Sequence, residues 1–330
     1  MKNGGHSELP SYALTVVLRF EYSRIQCHWT PIFQMNHQNF SVLNFRKNGF
    51  AVVEDALSDG VIAQLRQETT KICRGDLGHV AGLLPSSPEE NGHEILERTL
   101  CVHFPYKISR IMFDVLAHPV IVDNLTKIIG PNVKCMQQML FIKSPGKPGQ
   151  AWHQDESFVP TRDRSLNAAW IALDDATIEN GCLWFMPSSH QPGIIYPSHE
   201  QSDERFDCVE EAYGYPFTEE EAVPVEVKTG SIIFFNGYTL HRSLPNATNQ
   251  SCRRALVNHY MSAESLLPWR RPEKPTPVAR YDHRDIVMIA GEDPYAYKGI
   301  EEISFSHIRP QRQGGCRWPT KTEPVMKNNS

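Results

Sequence analysis

Two histidines and one aspartate in this chain have the types and spacing of a metal centre. His153 and Asp155 lie two positions apart, and His241 lies 86 positions after Asp155. Residues i and i+2 of a β-strand project from the same face, so His153 and Asp155 could reach one ion together. Two imidazoles and one carboxylate on one side of an octahedral ion leave positions open for a co-substrate and O2, as in non-haem Fe(II) oxygenases. This triad of His153, Asp155 and His241 therefore predicts an Fe(II) site.

The sequence around the triad predicts that strands position it. His153 lies in an aromatic and apolar run bounded by the Gly- and Pro-rich segment 143–149 and by Pro160, which is typical of a strand that follows a long turn. His241 follows the apolar run 231–235 after a short glycine-containing break. Each histidine alone could be a solvated or capping residue. Their matching settings favour a shared metal.

An arginine beyond the second histidine adds an anion-binding group. Arg253 comes twelve positions after His241 and opens another β-rich run. Its planar guanidinium can make a bidentate fork to a carboxylate, which a 2-oxo acid co-substrate with a distal carboxylate would need. Alternation places Arg253 on the face of Ala255 and Val257, and Arg254 on the other. Alternation alone leaves open which arginine faces inward, and both could be solvated charges on an edge strand.

In combination, these motifs resemble the phytanoyl-CoA dioxygenase family of Fe(II)- and 2-oxoglutarate-dependent oxygenases. The resemblance runs from about Gly49 to about Glu264 and includes the sequences WHQDESFVP, AWIALDDA, ENGCLWFMPSSH, HRS and RRAL. It implies a mainly β protein with bracing helices, built on a double-stranded β-helix of the jelly-roll, cupin-like type. The short strands separated by Gly, Pro and Asn turns after Trp170 are also typical of a closed double sheet.

The resemblance also implies a role for each site residue. The triad would bind Fe(II), and Arg253 would pair with the C5 carboxylate of 2-oxoglutarate. Four further residues are placed near the co-substrate: Met139, Trp170, Gln154 and Ser243. Without the family match, core packing explains Met139 and Trp170 equally well. Ascorbate is expected to support activity, as for other Fe(II) enzymes of this kind.

One family feature is missing from its expected place. Family members commonly carry a lysine upstream of the position of Met139 that assists with 2-oxoglutarate, but the corresponding stretch 98–103 has none. Arg98 or His103 could replace it, or the contact could be absent. Asp155 is informative in a different way. Halogenating members of the wider superfamily have a small residue there, so the carboxylate implies hydroxylation.

Composition excludes several other classes. The chain has 330 residues, 40% of them hydrophobic, which suffices for one oxygenase domain with a substantial core. A net charge of -5 gives no support for nucleic-acid binding. The eight cysteines show no CxxC spacing and predict free thiols. Because no apolar stretch has the length of a membrane span and the final residues are not a peroxisomal signal, we expect a cytoplasmic protein without a membrane partner.

The chain is expected to divide into three parts. These are a poorly structured N-terminal extension (1–38), the dioxygenase domain (39–311) and a flexible C-terminal tail (312–330). Within the domain, the acidic and irregular segment 191–224 separates two core strands. It is either a substrate lid over the barrel mouth or a solvated surface loop.

Helical periodicity is confined to the first half of the domain. Apolar residues recur at helical spacing in 57–72, after a Ser or Asp cap. Two further helices are predicted at 109–117 and 120–129, broken at Pro119 and ended by Gly130. All three are expected to brace one face of the β-sandwich.

The function implied is hydroxylation of an unactivated C–H bond of a small molecule, with O2 as oxidant and release of succinate and CO2. Desaturation, epimerisation or ring closure on the same scaffold is an alternative, as is a non-catalytic jelly-roll protein with a structural metal. The substrate and the oligomeric state stay open. The acidic segment and the lack of a Lys and Arg cluster make an acyl-CoA less attractive.

Overall fold

The computed structural model describes residues 40–207, 210–265, 286–300 and 304–309. The expected N-terminal extension and C-terminal tail therefore lie outside the described residues. Helices in the described ranges are α1 (Val42–Asn48), α2 (Asp59–Arg74), α3 (Gly92–Glu97), α4 (Arg110–Asp114), α5 (Pro119–Ile128) and α6 (Asp155–Phe158). Short 3-10 turns occur at Pro105–Lys107, Val115–Ala117, Glu219–Glu221 and Ala296–Lys298.

The strands form two facing sheets and one separate hairpin. They are β1 (Phe50–Val53), β2 (Cys101–His103), β3 (Val133–Lys143), β4 (Gln150–His153), β5 (Asn167–Ala172), β6 (Leu183–Phe185), β7 (Ser198–Glu200), β8 (Glu210–Ala212), β9 (Val223–Val225), β10 (Ile232–Asn236), β11 (His241–Ser243), β12 (Arg253–Ser262), β13 (Val287–Ala290) and β14 (His307–Ile308). The major sheet has the order β1-β10-β5-β12-β3-β2-β14, with β13 also paired to β3. The minor sheet has the order β4-β11-β6-β9, and β7 pairs with β8. The prediction of a mainly β protein is confirmed.

Helices cover the outer face of the major sheet. α2 begins after Ser58 and ends at Gly75, whose φ of 90° is the left-handed conformation that glycine adopts without strain. Its buried residues, including Leu65 and Ile72, belong to one apolar cluster with residues of β3, β5, β10 and β12. The predicted break at Pro119 separates the turn Val115–Ala117 from α5. The bracing role predicted for these helices is confirmed.

Strand alternation gives β3 and β12 two different faces. Leu140 and Ile142 of β3 pack in the cluster beneath the helices. Met139 and Lys143 instead face the cavity between the sheets. The antiparallel register of β12 with β3 sets Val257 opposite Met139. The major sheet thus supplies one wall of the cavity from alternate residues of its two longest strands.

The acidic segment 191–224 is more ordered than a simple loop. It contains the β7–β8 hairpin, and its last two residues belong to β9, which pairs with β6. The expected boundary at 224 is therefore wrong by two residues, because β9 is a strand of the minor sheet. Tyr196 and Ala212 pack against Trp152 of β4. The segment 191–222 is anchored on the minor sheet through these contacts.

The structure describes five cysteines. Cys73, Cys101, Cys135, Cys182 and Cys252 form no disulfide with one another. Burial raises the pKa of Cys73 and of Cys135 to about 12, so both stay protonated near neutral pH. Within the described ranges, no helix combines the length and apolar character needed to span a membrane.

Replacing Leu65 with alanine should lower the free energy of unfolding by about 2 to 5 kcal/mol, because it leaves a cavity between α2 and the major sheet. Leu65 is 0% exposed, whereas Leu43 of α1 is 78% exposed. Chemical denaturation followed by circular dichroism measures both changes. Leu43→Ala is the matched control and should change stability little. Equal effects of the two substitutions would contradict the described packing of α2.

Candidate metal centre and co-substrate cavity

His153 and His241 are direct cross-strand neighbours in the minor sheet. His153 ends β4, His241 begins β11, and the two residues pair in antiparallel register. Their ring centroids are 4.1 Å apart. Paired residues on one face of an antiparallel sheet have close Cβ atoms, so the register alone brings the two imidazoles together.

Asp155 completes the triad from a different element than expected. It is the first residue of α6 and does not lie on a strand. Gln154 between them keeps an extended backbone (φ -124°, ψ 127°), so His153 and Asp155 still project to one side. The Asp155 Oδ1 atom lies 3.7 Å from Nε2 of His153 and 3.7 Å from Nε2 of His241. One potential ligand atom from each triad residue lies within 4.8 Å of the others.

Backbone carbonyls orient both imidazoles for metal binding. Nδ1 of His153 is 2.7 Å from the Ala151 carbonyl oxygen, and Nδ1 of His241 is 3.0 Å from that of Thr239. A carbonyl only accepts, so each Nδ1 carries the proton and donates it. Each Nε2 then has a free lone pair on the side of Asp155. This arrangement is the usual one for metal-bound histidine.

The charge state of the triad also suits a cation. Burial lowers the pKa of His153 to about 4, and the nearby His241 adds to this effect. Burial alone would raise the pKa of Asp155, but His241, His259 and His153 together outweigh it and lower this pKa below its ordinary range. A neutral imidazole and an ionised carboxylate are the forms that bind metal. The residues present therefore fit a divalent ion.

A cavity between the two sheets adjoins the triad. Four residues predicted to contact the co-substrate line it: Met139, Trp170, Ser243 and Arg253. Its walls are otherwise mostly apolar and include Leu100, Phe141, Phe158 and Val159. Such a pocket, with a few convergent polar groups, is typical of small-molecule sites.

Arg253, and not Arg254, faces this cavity. Arg253 is 3% exposed, and its guanidinium lies 5.4 Å from the Trp170 ring centroid. Arg254 points to the other face, where it forms a bidentate pair with Asp174 at 2.7 and 2.8 Å. Arg253 makes no ion pair with a carboxylate of the described residues, and burial lowers its pKa to about 10. A buried guanidinium without a counter-ion favours an anionic ligand.

Lys143 is a second buried cation, which the sequence reasoning missed. It lies opposite Arg253 in the register of β3 with β12. Its ammonium donates to the Ser243 hydroxyl at 2.9 Å and to the Leu244 carbonyl at 2.7 Å. Burial, with the nearby Arg253, lowers the pKa of Lys143 well below its ordinary value. Alternation from Met139 could have indicated this position, but the Gly- and Pro-rich sequence after it suggested a turn.

The side chain of Gln154 is held by hydrogen bonds to two other segments of the chain. Its side-chain amide donates to the carbonyls of Ile194 (2.9 Å) and Tyr238 (2.7 Å) and accepts from the Tyr196 amide (2.8 Å). These three backbone groups engage its side-chain amide, and Gln154 is not among the residues that line the cavity. Its contact with the co-substrate stays a prediction. Gln154 fixes the start of the segment 191–222.

The two candidates for the missing lysine are also outside the cavity lining. Arg98 pairs with Glu90 at 3.3 Å on the surface side of α3. His103 hydrogen-bonds Gln137 at 3.2 Å and stacks on His307 with centroids 4.7 Å apart. Neither Arg98 nor His103 lines the cavity in place of the lysine. The stretch 98–103 leads into β2, which pairs with β3, and the sequence alone could not show this pairing.

Arg309 enters the cavity from the last strand described. It follows β14, lines the cavity and lies 5.3 Å from the Phe141 ring centroid. Its guanidinium pairs with Asp207 of the segment 191–222, and both side chains are buried. Asp207 also hydrogen-bonds Gly149, another lining residue, at 2.9 Å. Three distant stretches of chain therefore meet at this wall.

A family model described as phytanoyl-CoA dioxygenase (PhyH) matches residues 45–255. The chain belongs to the phytanoyl-CoA dioxygenase family. The matched residues include the triad and Arg253, and they end within β12. The resemblance inferred from the sequence motifs is confirmed.

Curated relatives in the phytanoyl-CoA dioxygenase family match parts of the chain. "Phytanoyl-CoA dioxygenase" of Arabidopsis thaliana is 36% identical over 131 residues, which are 39% of this chain and 44% of that protein. "Phytanoyl-CoA dioxygenase, peroxisomal" of Rattus norvegicus is 28% identical over 230 residues, or 67% of each chain. The chain thus spans less than half the length of the plant relative.

Solved structures establish the fold. The apo form of ThoJ, titled a non-heme monooxygenase, superposes with a TM-score of 0.57 at 20% identity. The superposition covers 82% of this chain and 88% of the ThoJ chain. SnoN, titled a non-heme alpha ketoglutarate dependent epimerase, has a TM-score of 0.51 at 18% identity. This superposition covers 72% of this chain and 90% of the SnoN chain. The predicted cupin-like jelly roll is confirmed by these likenesses.

Replacing Asp207 with asparagine should lower the free energy of unfolding by about 3 to 5 kcal/mol, because it removes the carboxylate charge that pairs with the buried Arg309 guanidinium. It should also speed amide hydrogen exchange in the segment 191–222. Asp203→Asn is the matched control, since Asp203 pairs with Arg205 at the exposed surface of the same segment, where solvent screens the interaction, and it should change stability little. Unchanged exchange in Asp207→Asn would contradict the anchoring role of the pair.

Proposed function

We propose that this protein is an Fe(II)- and 2-oxoglutarate-dependent dioxygenase that hydroxylates an unactivated C–H bond of a small molecule and releases succinate and CO2. One observation carries the proposal. The buried triad, with two lone pairs beside Asp155 Oδ1, shares a cavity with the buried guanidinium of Arg253. A structural metal site would require neither the cavity nor the uncompensated cation.

The triad residues would hold Fe(II) through Nε2 of each histidine and Oδ1 of Asp155. Bound Fe(II) and 2-oxoglutarate would supply the oxidising chemistry with O2, and the protein supplies position and shielding from water. Carbonyls of Ala151 and Thr239 fix the ring orientations. The ligands are therefore held in place before the metal arrives, which limits the ordering needed on binding.

Arg253 would bind the C5 carboxylate of 2-oxoglutarate. Its partner in this task is Ser243, whose hydroxyl accepts from Lys143 and is thereby free to donate its own proton to a carboxylate. Trp170 lies against the Arg253 guanidinium and limits its movement. Met139 lines the same wall. Lys143 would act indirectly, because its side chain donates to the Ser243 hydroxyl and to the carbonyls of Gly181 and Leu244.

The remaining cavity space suits an apolar part of a small substrate. The names of the curated relatives point to a coenzyme A thioester. Against this class stand the carboxylates of the β7–β8 hairpin, of which Glu200 is exposed and Glu210 and Glu211 are half-buried. A polyphosphate group would be repelled there. We therefore propose a substrate without coenzyme A.

Four further proposals concern the whole protein. The dioxygenase domain spans 39–311, and the segment 191–222 forms a lid over its cavity. The protein is located in the cytoplasm, and ascorbate stimulates its activity.

A screen of metabolite extracts for compounds that stimulate 2-oxoglutarate turnover by the protein tests the proposal. Fe(II), 2-oxoglutarate and ascorbate are supplied, and fractions that stimulate succinate release are analysed by mass spectrometry. A product heavier by one oxygen supports hydroxylation. Loss of two hydrogens would indicate desaturation or ring closure, and an unchanged mass would indicate epimerisation, the activity named for SnoN. A protein that binds iron but never forms succinate would refute an enzymatic role.

His153→Ala and His241→Ala should each abolish 2-oxoglutarate turnover and weaken Fe(II) binding at least about tenfold, since two remaining ligands hold a labile ion poorly. Calorimetric titration with Fe(II) under anaerobic conditions measures the affinity. His199→Ala is the control, because His199 is exposed on β7, and it should bind iron normally. Normal succinate formation by either triad variant would refute the assignment.

Arg253→Ala should raise the KM for 2-oxoglutarate about 30-fold or more, because loss of a charge-assisted fork costs about 2 kcal/mol or more. Iron affinity should change little, since Arg253 is not a ligand. Arg254→Ala is the matched control on the other face of β12 and should leave this KM near its normal value. The opposite result, a large effect only in Arg254→Ala, would show that the inward arginine has been misassigned.

A further inference from the structure

His259 contacts the carboxylate of the triad from the major sheet. It lies on β12, two residues after Val257, on the face that lines the cavity, and is 4% exposed. Its Nε2 is 3.0 Å from Asp155 Oδ2. The two triad histidines lie instead near Oδ1, each at 3.7 Å. The two oxygens of Asp155 therefore have different surroundings.

The position of the His259 proton follows from its partners. An ionised carboxylate only accepts hydrogen bonds, so Nε2 must carry a proton and donate it to Oδ2. Nδ1 of His259 is buried and has no hydrogen-bond partner in the described structure. His259 therefore directs its Nε2–H at Oδ2 of Asp155.

We propose that His259 is a positioning residue that keeps Asp155 a monodentate ligand. This inference rests on the proposed function. The N–H of His259 holds Oδ2 away from the ion, so only Oδ1 is free to ligate. A directional hydrogen bond to a ligating carboxylate fixes its orientation, as partners of metal ligands commonly do. His259 would act through Asp155 and is not among the three potential ligands.

The coordination count explains why one oxygen matters. An octahedral ion has six positions, and two histidines with a monodentate carboxylate fill half of them. A chelating 2-oxo acid takes two more and leaves one vacant. A bidentate Asp155 would fill that last position before O2 could use it. In the metal-loaded protein, the hydrogen bond from His259 to Asp155 would keep one coordination position open for O2.

The local fold explains how His259 reaches Asp155. On β5, the residue paired with His259 is Ala168, whose small side chain leaves space beside the imidazole. The register of β12 with β3 also shifts immediately after His259. Such an irregularity redirects side chains and is common beside functional sites. The sequence gives no local sign of this contact, which joins residues 104 positions apart.

Two substitutions separate positioning from packing. His259→Leu fills similar space without a donor, and His259→Gln restores an N–H at a similar reach. Both are compared with the parent after loading with Fe(II) and 2-oxoglutarate under anaerobic conditions, and nitric oxide serves as the O2 surrogate. Its binding is followed by electron paramagnetic resonance. Co(II) absorption spectra report coordination number independently. Thermal unfolding checks that each variant is folded.

We expect His259→Leu to bind nitric oxide at least about tenfold more weakly, in the range typical of lost partners of metal ligands, and to show a higher-coordinate Co(II) spectrum. His259→Gln should recover most of both properties. His118→Leu is the control for removing a buried imidazole, since His118 precedes α5 outside the cavity. It should leave both readouts unchanged.

Three outcomes would overturn the inference. His259→Leu could match the parent in both readouts, or His259→Gln could share the full defect, which would indicate packing alone. Either result leaves the proposed function standing, because the parent would still bind metal, co-substrate and nitric oxide. If the parent itself gives no Co(II) spectrum, the proposed function and this inference fail together.

Discussion

The direct antiparallel pairing of His153 with His241 is the constraint on which the candidate site depends. A slip of β4 against β11 by one residue would turn one imidazole to the opposite face. Close packing next to the pair resists such a slip. A Cβ built on Gly149 would lie 1.9 Å from the Ser243 carbonyl oxygen, so only glycine permits the observed approach of these two strands. The close backbone approach at Gly149, four residues before His153, therefore helps to fix the register that pairs the two histidines.

The cavity contains buried charged groups whose cost in folding free energy the rest of the fold must offset. Arg253 and Lys143 are buried without carboxylate partners in the described structure, and burial lowers the pKa of both. Helix packing on the opposite face of the same strands supplies the compensating apolar contacts. β3 and β12 therefore carry the stabilising core on one side and the costly polar groups on the other. This division follows from the two-residue period of a strand.

Sequence reasoning recovered what depends on local pattern. The spacing of His153 and Asp155 and the helical period of α2 are visible within short windows, and the family motifs brought in His241 and Arg253. Contacts set by strand register were missed, as for Lys143 and His259, because the pairing of β3, β5 and β12 joins distant stretches. The hydrogen-bond partners of Gln154 were missed for a related reason. Its neighbours in sequence face the cavity, but its own partners come from 194–196 and 238.

The pairing of β14 with β2 requires that residues far apart in the order of synthesis meet before the major sheet is complete. His307 lies opposite His103, 204 positions earlier in the chain. Until that late stretch leaves the ribosome, β2 has an unpaired edge, and the wall that Arg309 contributes is missing. An unpaired edge can recruit strands from other chains. Since β12 supplies another wall of the cavity, a nascent chain that has extended past β12 but not past β14 would have a cavity that is still open on the β2 side.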